Sequence, residues 1–537
     1  MSNNVSQRMM SPEKATVTLM LSGPIIPVML RLAVPTVVVL LVQTLVGVIE
    51  TYFVSSLGAN ILAGVAVVFP VLMLMQMMAN GGIGGGVASA VARASGAGRR
   101  GDAQALVWHG VVIAGFAGTS FAAALIIGGD ALYGWMGVDG PALQAALEYS
   151  NIVFAGSPLI WLVALLSAAL RGAGDTKTPA QITLAGAAIL LPLSPALIIG
   201  WGPIPSFGVA GAGIAVLTYY VLAALFLVRH MRSERSVIRL SKAPLSIHLF
   251  KDILSVGLLS AIGTVQVNLT VAIVTSAVGG FGAHAIAGYG IASRLDYLQI
   301  PLLFGFGSAL MTMVGVNIGA GQAQRAKRIT WIGAAIAFAF TELLGIGVAT
   351  FPEIWLSIFS DEPEVLTVGA SYLRNVAPFY GAIGIGMALY FAGQGAKRVL
   401  WPVLAGTARM IIAAVVGWVA VTHFHAELPA LFQIVALSAF VYGAISVAKS
   451  VLWELARQNK SGRSVIGSGR IFSSKQPAAL ADEMPVSSGL ERPLNFVTSR
   501  SSGDGAKVSM GTHEPDFIST TRHQTSIGLS ICANNAA

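Results

Sequence analysis

The stretch from Leu32 to Leu57 decides what kind of fold this chain can adopt. It runs for about 26 residues without Lys, Arg or Asp, and roughly 20 apolar residues in a helix are enough to cross the hydrocarbon core of a bilayer. It also contains one carboxylate, that of Glu50. We therefore expect a transmembrane helix with an acid inside the membrane.

Eleven further apolar segments follow the first along the chain. Hydrophobic residues make up 55% of the sequence and charged residues only 10%, whereas a soluble protein carries about 25% charged residues. The sequence thus predicts an all-α integral membrane protein with twelve transmembrane helices. The later segments lie near residues 60–92, 104–128, 142–170, 180–200, 208–230, 252–279, 284–317, 327–351, 365–393, 400–422 and 429–455.

The loops between these segments alternate in charge. Those after the second, fourth, sixth, eighth and tenth segments carry Lys and Arg, among them Arg99, Arg171 and Lys397, and the alternate loops carry neither. Because basic loops stay on the cytoplasmic side, we expect both termini in the cytoplasm and a multi-pass protein of the bacterial inner (plasma) membrane. The net charge of +9 then reflects topology and contact with anionic lipids. Nucleic-acid binding is not expected, since no basic stripe interleaves with aromatic residues.

The two sets of six segments repeat each other. Matching motifs recur in the second set at a nearly constant offset from the first, which indicates an internal repeat. Because each copy has an even number of spans, the two copies share one orientation, and a substrate path is expected between them. The pairs are GANILAG at 58–64 with GAHAIAG at 282–288, GAGR at 96–99 with GAGQ at 319–322, and Gly172 and Gly174 with Gly393 and Gly395.

The pattern also predicts how the chain is divided. The single cysteine, Cys532, excludes a disulfide within the chain. From about residue 458 the sequence turns to Ser, Gly, Pro and mixed charge, which is typical of disorder. The expected parts are a cytoplasmic N-terminal segment (1–27), a six-helix lobe (28–230), a cytoplasmic linker (231–251), a second lobe (252–457) and a disordered cytoplasmic tail (458–537).

Polar residues inside the first segment form one stripe. Thr36, Gln43 and Glu50 are seven residues apart, so they share one face of a helix. A carboxylate at membrane depth costs several kcal/mol unless it faces the bundle interior or a water-filled cavity, which makes Glu50 a functional-site candidate. The alternative is a packing stripe with a protonated, hydrogen-bonded Glu50.

Other polar residues in the spans are weaker cavity candidates. Asn80 precedes GGIGGG at 81–86, where glycines allow either close helix packing or a hinge. Gln266, Asn268 and Thr270 are two apart, so they do not share one helical face; they line the cavity or form packing hydrogen bonds. Glu342 is a second candidate proton carrier, and an ion pair between Arg294 and Asp296 would lower the cost of burying either.

No pattern in the sequence predicts an enzyme. GAGDTKTP at 172–179 lacks the spacing of a phosphate-binding Walker loop, and its glycines and proline suit a turn between two helices. No nucleophile–base constellation or metal-binding cluster is evident. We expect no catalytic residues, no metal and no cofactor.

The motifs together identify a family. With Pro35 in the first segment, GAGR after the second and ALRGAGDTKTP between the fourth and fifth, the chain resembles the MATE (multidrug and toxic compound extrusion) family over roughly residues 25–455. The resemblance implies a monomer with a V-shaped fold of two lobes, which exports organic cations and other amphipathic compounds in exchange for H⁺ or Na⁺. Glu50 stands where the family usually has an Asp that takes part in cation coupling.

The chain also departs from the family pattern. In the fifth segment the Asn and Asp that family members often carry are replaced by Leu190 and Ser194, which leaves Ser194 as a cavity candidate. A Na⁺ site needs several oxygen ligands, whereas a lone carboxylate can still carry a proton. We therefore expect H⁺ rather than Na⁺ as the coupling ion.

Two other functions stay open at this point. A flippase for a lipid or a lipid-linked glycan would need a cationic cavity to bind phosphate, and Arg294 is the one base that the sequence places clearly inside a span. A membrane scaffold that transports nothing would act through its tail.

Overall fold

The computed structural model describes residues 12–203 and 205–467. Within these residues, eleven helices and one bent helix pair are long and apolar enough to cross a membrane, so that the bent pair makes twelve spans. The all-α, twelve-helix prediction is confirmed for this part of the chain. The spans are α1 (Ile25–Ser55), α2 (Ala59–Gly96), α3 (Arg100–Trp135), α4 (Gly140–Ala155 and Ser157–Gly172), α5 (Lys177–Ile198), α6 (Gly208–Arg232), α7 (Ile247–Gly279), α8 (Ala283–Gly319), α9 (Ala323–Thr350), α10 (Pro363–Gly395), α11 (Leu400–Phe424) and α12 (Leu428–Gly467).

Several spans are interrupted where the sequence weakens the helix. The helix α4 bends by 49° at Gly156, where Pro158 has no N–H to continue the hydrogen-bond ladder. In α2, the glycine-rich run begins inside a π-helical segment, Met78–Ile83. Such π segments are uncommon and often occur at functional positions.

The spans form two lobes, α1–α6 and α7–α12, that meet where α2 crosses α8. A Cβ atom on Gly96 would lie 2.0 Å from the Val316 carbonyl oxygen, and one on Gly319 would lie 2.1 Å from the Arg93 carbonyl oxygen. Gly96 and Gly319 are the first residues of the matching motifs GAGR and GAGQ. The two contacts are therefore equivalent, one from each copy of the repeat. The lobes are therefore related by a pseudo-two-fold axis through this crossing, and only glycine allows the backbones to approach so closely.

A second repeated contact corrects part of the sequence alignment. A Cβ atom on Gly172 would lie 2.3 Å from the Ala88 carbonyl oxygen, and one on Gly395 would lie 2.4 Å from the Met311 carbonyl oxygen. The structure therefore makes Gly172 equivalent to Gly395, at the same offset that relates Gly96 to Gly319. The pairing of Gly172 with Gly393 is wrong by two residues.

The lobes converge at the end of the molecule that carries the basic loops, called the basic end here. At this end Arg93 lies 3.1 Å from Asp252 and donates to the Gly395 carbonyl oxygen at 3.3 Å. Among the described residues, the hydrogen bond between lobes that lies furthest from the basic end joins Asn268 Nδ2 to Met77 Sδ at 3.7 Å, near the middle of α2. The two lobes thus make the arms of a V that closes at the basic end, and the V-shaped architecture is confirmed.

A short N-terminal helix, Pro12–Ser22, lies across both lobes at the basic end. Glu13 pairs with Arg100 of the first lobe at 2.9 Å, and Asn317 of the second lobe donates to the Met20 carbonyl oxygen at 3.2 Å. The Met20 side chain is 1% exposed and packs beside Gly174. This helix therefore acts as a strap over the junction.

Replacing Met20 with Asp should detach this strap. A charged group cannot take the place of the buried thioether without losing its solvation, and loss of the apolar contact adds to the cost. We expect a destabilisation of about 2–4 kcal/mol, seen as faster proteolysis of the N-terminal segment and a lower melting temperature. Thr18→Asp, on the exposed side of the same helix, is the control; equal proteolysis of both variants would contradict the strap.

At two places the structure extends a lobe beyond the boundary that the sequence predicts. The segment between α6 and α7 docks on the first lobe, because the Ser246 N–H donates to His109 Nε2 at 2.9 Å. The helix α12 continues to Gly467, beyond residue 457. Residues 1–11 and most of the predicted tail, 468–537, lie outside the described residues.

Candidate functional site

Glu50 lies in the part of α1 that is remote from the basic end, close to the end of that helix at Ser55. Its Oε1 atom is buried and has no hydrogen-bond partner within the described structure. Tyr149 of α4 and Tyr220 of α6 are close enough to interact electrostatically with the carboxylate. The carboxyl group thus faces the interior of the first lobe, where the cost of a membrane acid is lowest.

The wall beside Glu50 is aromatic and apolar. The rings of Tyr220 and Tyr219 meet edge to face, with centroids 4.8 Å apart. The Tyr219 hydroxyl lies near enough to the Thr183 and Gln43 side chains to interact with them, so Gln43 belongs to the same wall. The remaining surface comes from apolar residues of α1, α5 and α6: Val46, Ala187, Leu190 and Ala215.

This arrangement sets what the site can do chemically. A single carboxyl group beside tyrosine hydroxyls can bind and release one proton, and when it is deprotonated it attracts a cation strongly because the surroundings have a low dielectric constant. The unpartnered oxygen is available to a ligand rather than to the protein. The site therefore has the parts for competition between a proton and a cationic group.

The polar stripe of the first span does not form one site. Thr36 is buried, and its neighbour Val37 packs against Gly305 of the second lobe. At 1.5 Å per residue, Thr36 lies about 21 Å from Glu50 along the helix axis. Ser194 of α5 is buried, and its hydroxyl has no partner among the described residues.

The polar candidates of the second lobe form packing contacts. Gln266 Nε2 donates to Thr407 Oγ1 at 2.6 Å, Thr270 donates to the Gln266 carbonyl oxygen at 2.7 Å, and Asn268 donates to the Thr264 carbonyl oxygen at 2.9 Å. Glu342 accepts the Gly381 N–H at 2.7 Å, which ties α9 to α10. Each of these residues has at least one protein partner, although Gln266 Oε1, like Glu50 Oε1, has none among the described residues.

The predicted ion pair between Arg294 and Asp296 is not formed. Arg294 lies over the Phe359 ring, 5.3 Å from its centroid. Asp296 instead accepts hydrogen bonds from the hydroxyls of Tyr372 and Tyr380. Side chains two residues apart point to different sides of a helix. Arg294 and Asp296 therefore contact different residues.

Sequence reasoning also missed two arginines inside the spans. Arg409 of α11 lies over Tyr442, 5.9 Å from the ring centroid, and interacts electrostatically with Asp296. Arg171, predicted in a loop, lies in the last turn of α4 and is 9% exposed. Arg171 is therefore a buried base within the described spans, whereas Arg409 is half-buried and Arg294 is exposed.

The glycine-rich run of α2 packs directly on the second lobe. A Cβ atom on Gly86 would lie 2.4 Å from the Ile253 carbonyl oxygen, and one on Gly82 would lie 3.1 Å from Ala261. Close packing, one of the two interpretations of GGIGGG, is therefore present in this conformation. Asn80 donates to the Gln76 carbonyl oxygen at 3.0 Å within its own helix and lines a small cavity between the lobes.

Neutralising Asp252 should loosen the basic end. Asp252 holds Arg93 at 3.1 Å and Lys397 at 2.5 Å, and removing the acid leaves two cations facing each other. In a Cys532→Ser background we expect Asp252→Asn to speed the labelling of Ser89→Cys, a buried position on α2, by an impermeant maleimide several-fold. Glu234→Gln, which removes an exposed pair with Arg239, should have no effect. Unchanged labelling in Asp252→Asn would contradict this role.

Comparisons with known proteins agree with this geometry. The MatE family model matches residues 35–196 and 260–419, one stretch in each lobe. The chain is 28% identical over 371 residues to a protein named "FAD transporter" from Shewanella oneidensis, covering 68% of this chain and 81% of that protein. It is 27% identical over 393 residues to "Probable multidrug resistance protein NorM" from Thermotoga maritima, covering 72% and 84%. A solved structure of a MATE protein in a bent conformation has a TM-score of 0.77 at 23% identity, covering 83% of this chain and 99% of that one.

Proposed function

Because the chain belongs to the MATE family of transporters, we propose that it is a secondary active antiporter. It exports organic cations and other amphipathic compounds in exchange for H⁺ by alternating access. The basic end faces the cytoplasm, so the V opens to the outer side in this conformation. The protein acts as a multi-pass monomer of the plasma (bacterial inner) membrane.

The observation that carries this proposal is the unpartnered carboxyl oxygen of Glu50. A group with a structural role in the membrane would be tied to a donor, as the Glu342 carboxylate is by the Gly381 N–H. Glu50 Oε1 has no such donor among the described residues. Leaving a buried polar atom unsatisfied costs stability, and such a cost is typical of functional positions.

The coupling follows from competition at this one group. A proton entering from the outer side neutralises Glu50, and the carboxyl group then no longer attracts a cation. Release of that proton to the cytoplasm restores the negative charge and with it the attraction for the next cargo molecule. By linkage, proton and cargo weaken each other's binding by the same factor.

The names of the two relatives suggest different cargo. "Multidrug resistance" fits an amphipathic cation near Glu50, whereas FAD, the cargo in the name of the Shewanella relative, carries negative phosphates. The 28% identity over 81% of that relative makes FAD export the second candidate. A phosphate group would require cationic partners, for which the chain offers the buried Arg171 rather than Glu50.

Efflux from proteoliposomes tests both candidates. The purified full-length protein is reconstituted with ethidium or FAD inside, and a pH or Na⁺ gradient is imposed in separate arms. We expect ethidium efflux driven by the pH gradient and unaffected by Na⁺. Efflux driven only by Na⁺ would overturn proton coupling, and FAD efflux without ethidium efflux would replace the proposed cargo.

A further inference from the structure

A small cavity lies between the lobes at the closed basic end. Its wall includes Asn80, Arg171, Ser308 and Gln394. Its volume is about 10 Å³, which is room for about one water molecule or one ion of similar size. The cavity is remote from Glu50 and has no part in the proton cycle proposed above.

Arg171 is the unusual member of this wall. It is 9% exposed, and its guanidinium group forms no hydrogen bond or ion pair with the described residues. No described acid is close enough to interact with its charge. An arginine remains charged in proteins, so this positive charge sits inside the molecule without a protein counter-charge.

The cavity lies on the pseudo-two-fold axis, and residues at equivalent positions of the two repeats line its opposite sides. Arg171 corresponds to Gln394 and Gly85 to Ser308, both at the offset that relates Gly96 to Gly319. The first lobe therefore presents a cation where the second presents a neutral amide. This difference between the lobes places one positive charge at the centre of their junction.

Neutral donors in the wall point to the class of ligand. The Ser308 hydroxyl is buried and has no partner in the described structure, and Asn80 Nδ2 uses one of its two N–H groups on the Gln76 carbonyl oxygen. Both can donate to an anion beside Arg171. The Gln394 Nε2 group is already engaged with Ser260 and the Gly81 carbonyl oxygen.

We propose that Arg171, Ser308 and Asn80 bind a single small inorganic anion, of the size of chloride, in this cavity while the basic end is closed. A water molecule would fill the same volume and would also donate to Gln394 Oε1, which lacks a partner in the described structure. Water is neutral, however, and leaves the buried guanidinium without the counter-charge that offsets its lost solvation. The nearby pair of Arg93 and Lys397 on the single acid Asp252 adds further positive charge.

Equilibrium binding of ³⁶Cl⁻ to the purified full-length protein tests this proposal without reference to transport. We expect saturation at one chloride per chain, with displacement by bromide. Arg171→Gln, which installs the residue found at the equivalent position of the second lobe, should weaken binding at least about tenfold, since hydrogen bonds to a charged group are lost. Arg99→Gln removes an exposed arginine paired with Asp102 and should bind as the wild type does.

A second variant keeps the test decisive if Arg171→Gln does not fold. Ser308→Ala removes one donor, retains the charge, and should weaken chloride binding several-fold. The proposal is overturned if the wild type shows no saturable chloride binding, which would mean that the cavity holds water. It is equally overturned if the recovered variants bind chloride with wild-type affinity.

Discussion

Glu50→Gln is expected to abolish export driven by a pH gradient and to leave the protein inserted and folded. Glutamine has nearly the same shape as a protonated glutamic acid, so the apolar wall of α5 and α6 remains packed. It cannot release a proton, so the two access states no longer differ in charge at this position. A ligand or proton shifts a conformational equilibrium only through its different affinity for the two states.

The size of this effect follows from the energy in the gradient. One pH unit is worth about 1.4 kcal/mol, which for exchange of one H⁺ per cargo supports about a tenfold cargo gradient. We expect the wild type in proteoliposomes to approach that gradient and Glu50→Gln to reach none. Glu342→Gln is the matched control, because the Gly381 N–H can still donate to the amide oxygen. Full pH-driven export by Glu50→Gln would rule out Glu50 as the carrier.

Gly96→Ala should prevent the basic end from closing, although it adds a single methyl group. The new Cβ atom would lie 2.0 Å from the Val316 carbonyl oxygen and 2.7 Å from its carbon. Both are backbone atoms of α8, so no side chain can rotate away, and the helices must separate. We expect export to be lost and Ser89→Cys, in the Cys532→Ser background, to become reactive from the basic side.

The control for this substitution lies in the first turn of α3. Gly101 has nothing within 4 Å of a built Cβ atom, and replacing glycine with alanine in a helix is favourable by about 1 kcal/mol. Gly101→Ala should therefore transport normally and be at least as stable as the wild type. Wild-type transport by Gly96→Ala would show that the close crossing is not needed for the cycle.

The sequence was informative where a residue contrasted with its surroundings. Glu50 stood out because it is an acid in an apolar span, and the structure places it inside the first lobe. The matched motifs GAGR and GAGQ predicted equivalent helix ends, and their first glycines, Gly96 and Gly319, meet at the pseudo-two-fold axis. Both conclusions depend on spacing along the chain, which the sequence contains directly.

The neighbours of these residues could not be predicted in the same way. Tyr149 and Tyr220 reach Glu50 from two other helices, and tyrosines in apolar spans carry no signal that distinguishes this role from packing. Thr36, Gln43 and Glu50 are seven residues apart on α1, so they share one face of this helix. Thr36 and Glu50 are about 21 Å apart along the helix axis, so the residues of this face contact different helices and lie in different surroundings.

Arg171 shows how position along a span can mislead. Beside GAGDTKTP it resembles a basic loop residue, and only the packing of α4 against α2 and the second lobe buries it. Its repeat equivalent is Gln394. The sequence therefore contains a sign of this site, because one copy of the repeat has a charged residue where the other has an amide. The error in pairing Gly172 with Gly393 concealed that relation.

The most direct test of the account is proton release on cargo binding. Purified protein in weakly buffered detergent solution is mixed with ethidium across a range of pH, and the change in pH is recorded with an indicator dye. Competition at Glu50 predicts that the wild type releases a proton as it binds ethidium, whereas Glu50→Gln binds without release. Equal release by both proteins, or ethidium binding to the wild type without any release, would contradict Glu50 as the shared site of proton and cargo.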